Sequence, residues 1–377
     1  MIFSTQFGGG AALGSIVQGY GLAEPLYVAC DGRPLARATY PRLSTLFPIG
    51  RFTGTVRTLA TTSGNNCLAA SPTYFVSSAA AGNPNIQYST DGASWSQVSV
   101  VTPSMTVNSL IFAGTRWVAS GAVSGTLAVT TGDNPNSTWA ATTGGATGGI
   151  VRYGLAYSVA LGRVISLTAG STTALQALDN GSTTLVAKTA PTAKTRMGIC
   201  HTGTKFIILN TDGTITTSAD AASSVWVDEP LPESVASTGS IASNGAGVIV
   251  ISGAASGLLV STDHGVTWVK TAIPGVAPSA TWQVNYSGDR FFLPTTLGVV
   301  MSMDGKAWFL EPQLIQLRAE ASVFAKKGAI FVQTQNSATA YSFTESATHF
   351  NAPLIQAYAP VASGSPIPLA PSFIKAL

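Results

Sequence analysis

Ser261-Thr262-Asp263-His264-Gly265-Val266-Thr267-Trp268 combines a carboxylate, a glycine and a tryptophan within eight residues. It spells a tight turn between two strands. The Asp carboxylate can accept hydrogen bonds from backbone N–H groups just ahead of it. Gly265 supplies a positive φ at low steric cost. Trp268 opens the following strand with a large apolar face. The order recurs at Ser89-Thr90-Asp91-Gly92-Ala93-Ser94-Trp95 and at Ser302-Met303-Asp304-Gly305-Lys306-Ala307-Trp308.

Looser copies fill the gaps. Gly132-Asp133 leads to Trp139 through Asn134, Pro135 and Asn136, and Asp220 leads to Trp226. Asp179-Asn180-Gly181 keeps the turn but has Leu185 in place of the Trp. Ser342-Phe343-Thr344 lacks the Asp, and Phe350 takes the aromatic place. The large side chains at 95, 139, 185, 226, 268, 308 and 350 recur roughly every 42 residues, the mark of a repeat architecture.

One unit shows what each contains. In 107–142, Asn108–Phe112 is an apolar strand, Gly114-Thr115 a turn, Arg116–Ser120 a second strand, Thr126–Thr130 a third, and a fourth begins at Trp139. Four short strands between Gly, Asn, Asp and Ser turns make an all-β repeat. Such a sheet cannot bury its own faces, but copies stacked in a ring can. The expected fold is therefore all-β, a seven-bladed β-propeller of four-stranded blades over 53–355, behind a small α+β segment at 1–52. Closing the ring needs a strand from one end of the repeats, and Gly54–Leu59 is expected to form or flank the outer strand of the last blade.

Composition narrows the function. Charged residues make up 9% of the 377, and the net charge is +3, with no basic stripe of the kind nucleic-acid binding needs. The run 247–260 is broken by Ser252, Gly253, Ser256 and Gly257, so it reads as two strands and not a membrane span. No signal-peptide pattern opens the chain. Cys30, Cys67 and Cys200 lack metal-ligand spacing and read as small buried hydrophobes in a reducing compartment. His201, His264 and His349 are isolated, and no phosphate loop is spelled, so neither metal nor cofactor is expected.

The Asp turns resemble the Asp-box, or bacterial neuraminidase, repeat. In that family the box joins the third and fourth strands, away from the ligand face. The resemblance implies scaffold roles for Asp91, Gly92, Trp95, Asp133, Trp139, Asp179, Asp220, Trp226, Asp263, Gly265, Trp268, Asp304, Gly305 and Trp308. Glycoside hydrolysis is the enzymatic alternative, because sialidases share the repeat. Their Phe/Tyr-Arg-Ile-Pro motif is absent, and Arg290-Phe291-Phe292-Leu293-Pro294 has the wrong order. Carboxylates outside the Asp turns, among them Glu24, Asp212, Asp228, Glu229, Glu233, Asp289 and Glu320, are sparse and form no acid/base pair in the sequence. No enzyme is expected. Trp117 is read as packing between blades, while Trp282 and Tyr286 are candidates for stacking on a receptor sugar.

Ahead of the repeats, Cys30-Asp31-Gly32-Arg33-Pro34-Leu35 is followed by Arg37-Ala38-Thr39-Tyr40-Pro41-Arg42-Leu43. Thr39 can cap a short helix with Pro41 in its first turn and Leu43, Leu46 and Phe47 on one face. This stretch resembles the phage tail-collar domain, the matching positions being Cys30, Asp31, Gly32, Arg33, Tyr40, Pro41 and Leu43. At the far end, 356–377 is a Pro-rich linker and a short strand, Ser372–Leu377, expected to return beside Ile16–Tyr20 or Leu26–Ala29. The two resemblances together imply a tail-fibre or tail-tip protein of a bacteriophage virion, assembled in the host cytoplasm. The implied partners are other tail or baseplate proteins and a bacterial surface glycan or protein. A homotrimer is implied, with neither nucleic-acid binding nor membrane insertion. The alternatives are a glycan-cleaving tailspike and a purely architectural virion component.

Overall fold

The computed structural model describes residues 16–18, 27–29, 34–44, 52–60 and 372–375, together with 63–351 except for the connections 80–85, 99–106, 122–126, 145–149, 169–173, 190–192, 222–225, 237–238, 255–256, 274–282, 296–297, 311–320, 327–328 and 335–337. Cys30, Asp31, Gly32, Arg33, Leu46, Phe47, Trp282, Glu24 and Glu320 lie outside the described residues. The chain forms two compact units: Gly54–Phe343, and Met1–Thr53 with Thr344–Leu377.

The larger unit is a seven-bladed β-propeller of four-stranded antiparallel blades. Blades 1 to 6 occupy 63–98, 107–141, 150–189, 196–230, 241–271 and 285–310, with strands in sequence order from innermost to outermost. The middle strands are sandwiched on both faces. Arg116–Gly121, Ile249–Ala254 and Arg290–Thr295 are buried along their whole length. That double burial explains why these stretches read as unbroken apolar runs and not as alternating ones. Outer strands such as Val227–Pro230 and Val269–Thr271 face solvent.

Blade 7 closes the ring. Its first three strands are Ala321–Lys326, Ala329–Thr334 and Thr339–Glu345, and its outer strand is Phe52–Thr58, from ahead of blade 1. Arg57 Nε donates to Ser342 Oγ across this seam at 2.7 Å. The sequence pattern put Phe350 at the seventh aromatic position, and the structure corrects it. His349–Asn351 pairs with Pro34–Ala36, Leu35 standing opposite Phe350, within the smaller unit. A blade has one outer edge, and the strand tethered next to blade 1 occupies it. The propeller unit therefore ends at Phe343, short of the expected 355.

In blades 1 to 6 the wedge side chain, a Trp or Leu185, packs on the preceding blade of the ring. Trp139 of blade 2 lies with Val76 and Ile86 of blade 1, and Leu185 of blade 3 with Val118 and Val129 of blade 2. Trp226 of blade 4 lies with Ile165 and Leu167 of blade 3, and Trp268 of blade 5 with Ile207 and Leu209 of blade 4. Trp308 of blade 6 meets Val250 and Val260 of blade 5, and Trp95 of blade 1 meets Phe331 of blade 7. Trp117 is fully buried in the seam between blades 1 and 2.

The turns that carry these wedges divide into two kinds. At Asp263, Oδ1 accepts from the Val266 and Thr267 amides at 3.1 and 2.9 Å and from Ser261 Oγ at 2.8 Å, while Oδ2 accepts from Thr267 Oγ1 at 2.6 Å. These bonds, that from the Thr267 hydroxyl first, pull its pKa down to about 2. Asp91 and Asp304 make the same backbone bonds, to Ala93 and Ser94 and to Lys306 and Ala307. Trp95 and Trp308 then donate Nε1–H to the Gly92 and Gly305 carbonyls.

In the degenerate copies the register moves. In blade 2 it is Asn134 Oδ1 that accepts from a turn amide, Asn136 N at 2.9 Å, whereas Asp133 Oδ1 is buried without a partner. Asp133 contributes its carbonyl, which accepts from Trp117 Nε1 at 2.6 Å. In blade 3, Leu178 pairs with Val164 just as Ser218 pairs with Phe206 in blade 4, which puts Asn180 at the box position and Asp179 one residue early. The Asp179 carboxylate accepts from Arg163 Nε at 2.6 Å. In blade 4, Ala221 stands where other copies have Gly, at φ 60°, and its amide donates to Ser218 Oγ.

In the smaller unit, Ser372–Lys375 lies between Ile16–Gln18 and Tyr27–Ala29, with Phe373 opposite Val17 on one side and Ala29 on the other. The helix is a single turn, Pro41–Ser44, with Tyr40 and Leu43 buried beside it. Pro41 sits at the first helical position, where a missing N–H costs nothing.

Candidate functional site

The innermost strands of blades 1 to 6 surround a cavity of about 410 Å³ in the propeller channel. The register of the sheets shows how it is built. The residue opposite the first large apolar side chain of each second strand is Ala70 (facing Phe75), Phe112 (Trp117), Tyr157 (Val164), His201 (Phe206), Ser243 (Ile249) and Tyr286 (Phe291). All six line the cavity. Two residues back on the same strand face come Leu68, Leu110, Leu155, Ile199, Ile241 and Val284, all aliphatic and buried. The channel thus has a floor of aliphatic side chains and, above it, a ring with rings or imidazole on blades 2, 3, 4 and 6 and small residues on blades 1 and 5. Breaks in register at Ser63/Leu68, Ile150/Leu155 and Arg196/Gly198 precede the lining residues of blades 1, 3 and 4. Bulges of this kind re-aim side chains.

The ring side chains are held from behind. Phe112 packs on Trp117 with centroids 5.1 Å apart, and Tyr286 on Phe291 at 4.8 Å. His201 meets Phe206 edge-on at 4.7 Å. The Gly203 amide donates to His201 Nδ1 at 3.2 Å, which leaves Nε2 to carry the ring proton. Burial pushes the His201 pKa down, so the imidazole is neutral at pH 7. Burial, and then the Asp289 carboxylate, push the Tyr286 phenol up. Gln283 Oε1 is buried in the lining without a hydrogen-bond partner. Among the described lining residues there is no Asp, Glu, Lys or Arg.

The residues singled out from the sequence divide sharply. Tyr286 is in the cavity wall, and Trp282 lies outside the described residues. The Asp turns join third and fourth strands, and none lines the cavity. Cys67 and Cys200 are buried thiols of the inner strands, and burial pushes the Cys200 thiol up, away from reactivity. The acidic stretch near 230 is spent on ion pairs: Asp228 with Lys194 at 3.3 Å, Glu233 with Lys270 at 3.1 Å, and Glu229 with Lys205 at 3.9 Å. Among the described residues no cluster of His, Cys, Asp or Glu could hold a metal ion, and no helix is long and apolar enough to cross a membrane. Sequence reasoning missed Phe112, Tyr157 and His201. Their common signal, the position opposite each second strand's first large side chain, needs the strand register to be read.

No family model and no curated protein matches the chain. Solved structures do. A streptogramin B lyase is similar with a TM-score of 0.62 at 11% identity, over 78% of this chain and 98% of that one. A catalytically inactive virginiamycin B lyase from Staphylococcus aureus, solved with quinupristin, gives 0.61 at 10%, over 78% and 99%. YCF48 bound to D1 peptide gives 0.52 at 13%, over 78% and 97%. At such identities the likeness is one of fold. It nevertheless corrects the expectation of no enzyme. That expectation rested on the missing sialidase residues, and the similar propellers include lyases.

Proposed function

We propose that this chain is a tail-fibre or tail-tip component of a bacteriophage, in which the propeller binds a molecule at the host cell surface. The observation that carries the reading is the insertion of the propeller, Gly54–Phe343, into a unit built from both ends of the chain. There Ser372–Lys375 is paired on either side with strands of the N-terminal segment, in the unit that also holds the collar-like Tyr40, Pro41 and Leu43. A small unit closed by both termini suits attachment, and an inserted wheel with a channel cavity suits display and binding. The test is saturable binding of the labelled full-length protein to a panel of bacterial strains. The expected result is binding to some strains that purified surface polysaccharide or surface protein competes away. Binding to no strain, together with incorporation into virions, would favour an architectural role.

A second reading is favoured by the cavity and by the lyases that share the fold. In it the channel is a reaction site for a small molecule, with His201, Tyr157 and Tyr286 in its wall. Incubation with quinupristin and mass analysis of the products tests this directly: conversion above a no-protein control supports it, and intact compound rejects that substrate.

A further inference from the structure

We propose that the channel cavity is a binding site for an uncharged sugar ring. The inference names the ligand class of the propeller, and it rests on the preceding reading only for where such a ligand would come from.

Three features of the wall point to this chemistry. First, no charged side chain lies among its described residues, so an anionic or cationic ligand would give up its hydration for nothing in return. Second, Phe112, Tyr157 and Tyr286 offer aromatic surface at one level of the channel, each only half-buried. The C–H faces of a pyranose pack on such rings, and the aliphatic layer below, Leu110, Leu155, Ile199, Ile241 and Val284, keeps water out. Third, the polar groups of the wall include both an unfilled acceptor and a donor. Gln283 Oε1 is buried with no partner, and His201 is fixed with Nε2–H outward from its bond to Gly203. A hydroxyl is at once donor and acceptor, so a polyol can satisfy both kinds of group. A purely apolar ligand would leave Gln283 Oε1 as it is, without a partner, and so forgo the hydrogen bond that a hydroxyl gains there.

The ring of side chains is also lopsided in a useful way. Ala70 and Ser243 occupy positions where other blades carry Phe112, Tyr157, His201 and Tyr286. Those two small residues leave the space. Ala70 is the better lever, since an aromatic residue is already accommodated at the same register on blades 2, 3 and 6.

The experiment is isothermal titration and saturation-transfer NMR of the full-length protein with the methyl glycosides of glucose, galactose and N-acetylglucosamine, with glucuronic acid and sialic acid alongside. At least one neutral glycoside is expected to bind and the acids to bind at least about tenfold more weakly. Ala70→Phe should abolish binding with the melting temperature unchanged, and Gln283→Leu should weaken it about tenfold, the worth of one ligand hydroxyl left without its buried acceptor. Tyr286→Ala should weaken it at least as much; if that variant does not fold, the other two carry the result. The proposal is overturned if no neutral glycoside binds, if the acids bind as tightly, or if Ala70→Phe and Gln283→Leu keep full affinity. Cell binding without glycoside binding overturns this inference and leaves the tail reading standing, and glycoside binding without cell binding does the reverse.

Discussion

Trp95 and Phe331 meet with ring centroids 4.8 Å apart and planes tilted by 37°, although one belongs to blade 1 and the other to blade 7. Phe75 completes the cluster, 5.7 Å from Phe331, and Gly92 of the same turn lies against both phenylalanine rings. This is the wedge contact found at the other described seams, but here it joins the first repeat to the last, so it works with Phe52–Thr58 to hold the ring shut. Removing it should open the propeller at its seam. Trp95→Ala and Phe331→Ala are each expected to cost about 3 kcal/mol. The double mutant should fall short of the sum by about 1 kcal/mol, the coupling of an aromatic pair. Urea unfolding of the four proteins measures it, and strict additivity would mean that the two rings do not act together.

The carboxylate turns make stability depend on acid. Asp263 titrates at about 2 in the folded protein against an ordinary value of 3.8, and Asp91 and Asp304 are shifted the same way by their backbone bonds. A lowered folded pKa means that the stabilisation is complete above the unfolded value and disappears as pH falls through the folded one. The urea midpoint should hold steady down to about pH 4 and then decline toward pH 2. Asp263→Asn should lower the midpoint at pH 7 and flatten the decline. The carboxylate is exposed, so the effect per turn is modest. A midpoint for Asp263→Asn equal to wild type at pH 7 would remove the turn from the list of stabilising devices.

Two glycines separate backbone strain from crowding. Gly181 has φ +77° with nothing within 4 Å of an added Cβ, so Gly181→Ala pays the left-handed conformation alone, about 1 kcal/mol. Gly203 has φ +98°, and a Cβ there would run into the carbonyl oxygen of Gly245 on the next blade. Since that obstacle is backbone, it cannot swing aside. Gly203→Ala should cost about 3 kcal/mol or more. It should also disturb His201, whose Nδ1 depends on the Gly203 amide. Thermal melts of the two variants give the comparison, and equal losses would refute the steric account.

Arg116 reaches from blade 2 to the turn of blade 3. Its Nη1 donates to the Ser182 carbonyl at 2.7 Å and its Nη2 to the Asp179 carbonyl at 2.9 Å. Arg163 makes the corresponding reach to the Asp220 carbonyl of blade 4 at 2.9 Å. Arg116→Ala is expected to cost about 2 kcal/mol, because both carbonyls lose a donor in a nearly buried seam. Arg116→Lys should recover only part, since one ammonium cannot span two acceptors as a planar fork does. Chemical denaturation of the three proteins decides it, and full recovery by Lys would show that charge alone matters there.

Local patterns in the chain were enough to set seven blades of four strands and the carboxylate turns at Asp91, Asp263 and Asp304 with the wedges that follow them. These depend on neighbours a few residues apart: a carboxylate bonds amides two to four positions ahead, and alternation and apolar runs report local burial. The tertiary structure alone decided the rest. It sent Phe350 to pair with Leu35 and away from the seventh outer edge, which Phe52–Thr58 fills in line with the strand expected at Gly54–Leu59. It let Asn134 and Asn180 take positions that the spelling assigned to Asp133 and Asp179. It also brought Ala70, Phe112, Tyr157, His201, Ser243 and Tyr286 to one level of the channel. The reason is common to all of these. Where Phe350 pairs, and which side chains meet across an axis, are fixed by contacts between residues far apart in the chain, and a local pattern carries no record of them until the ring has closed.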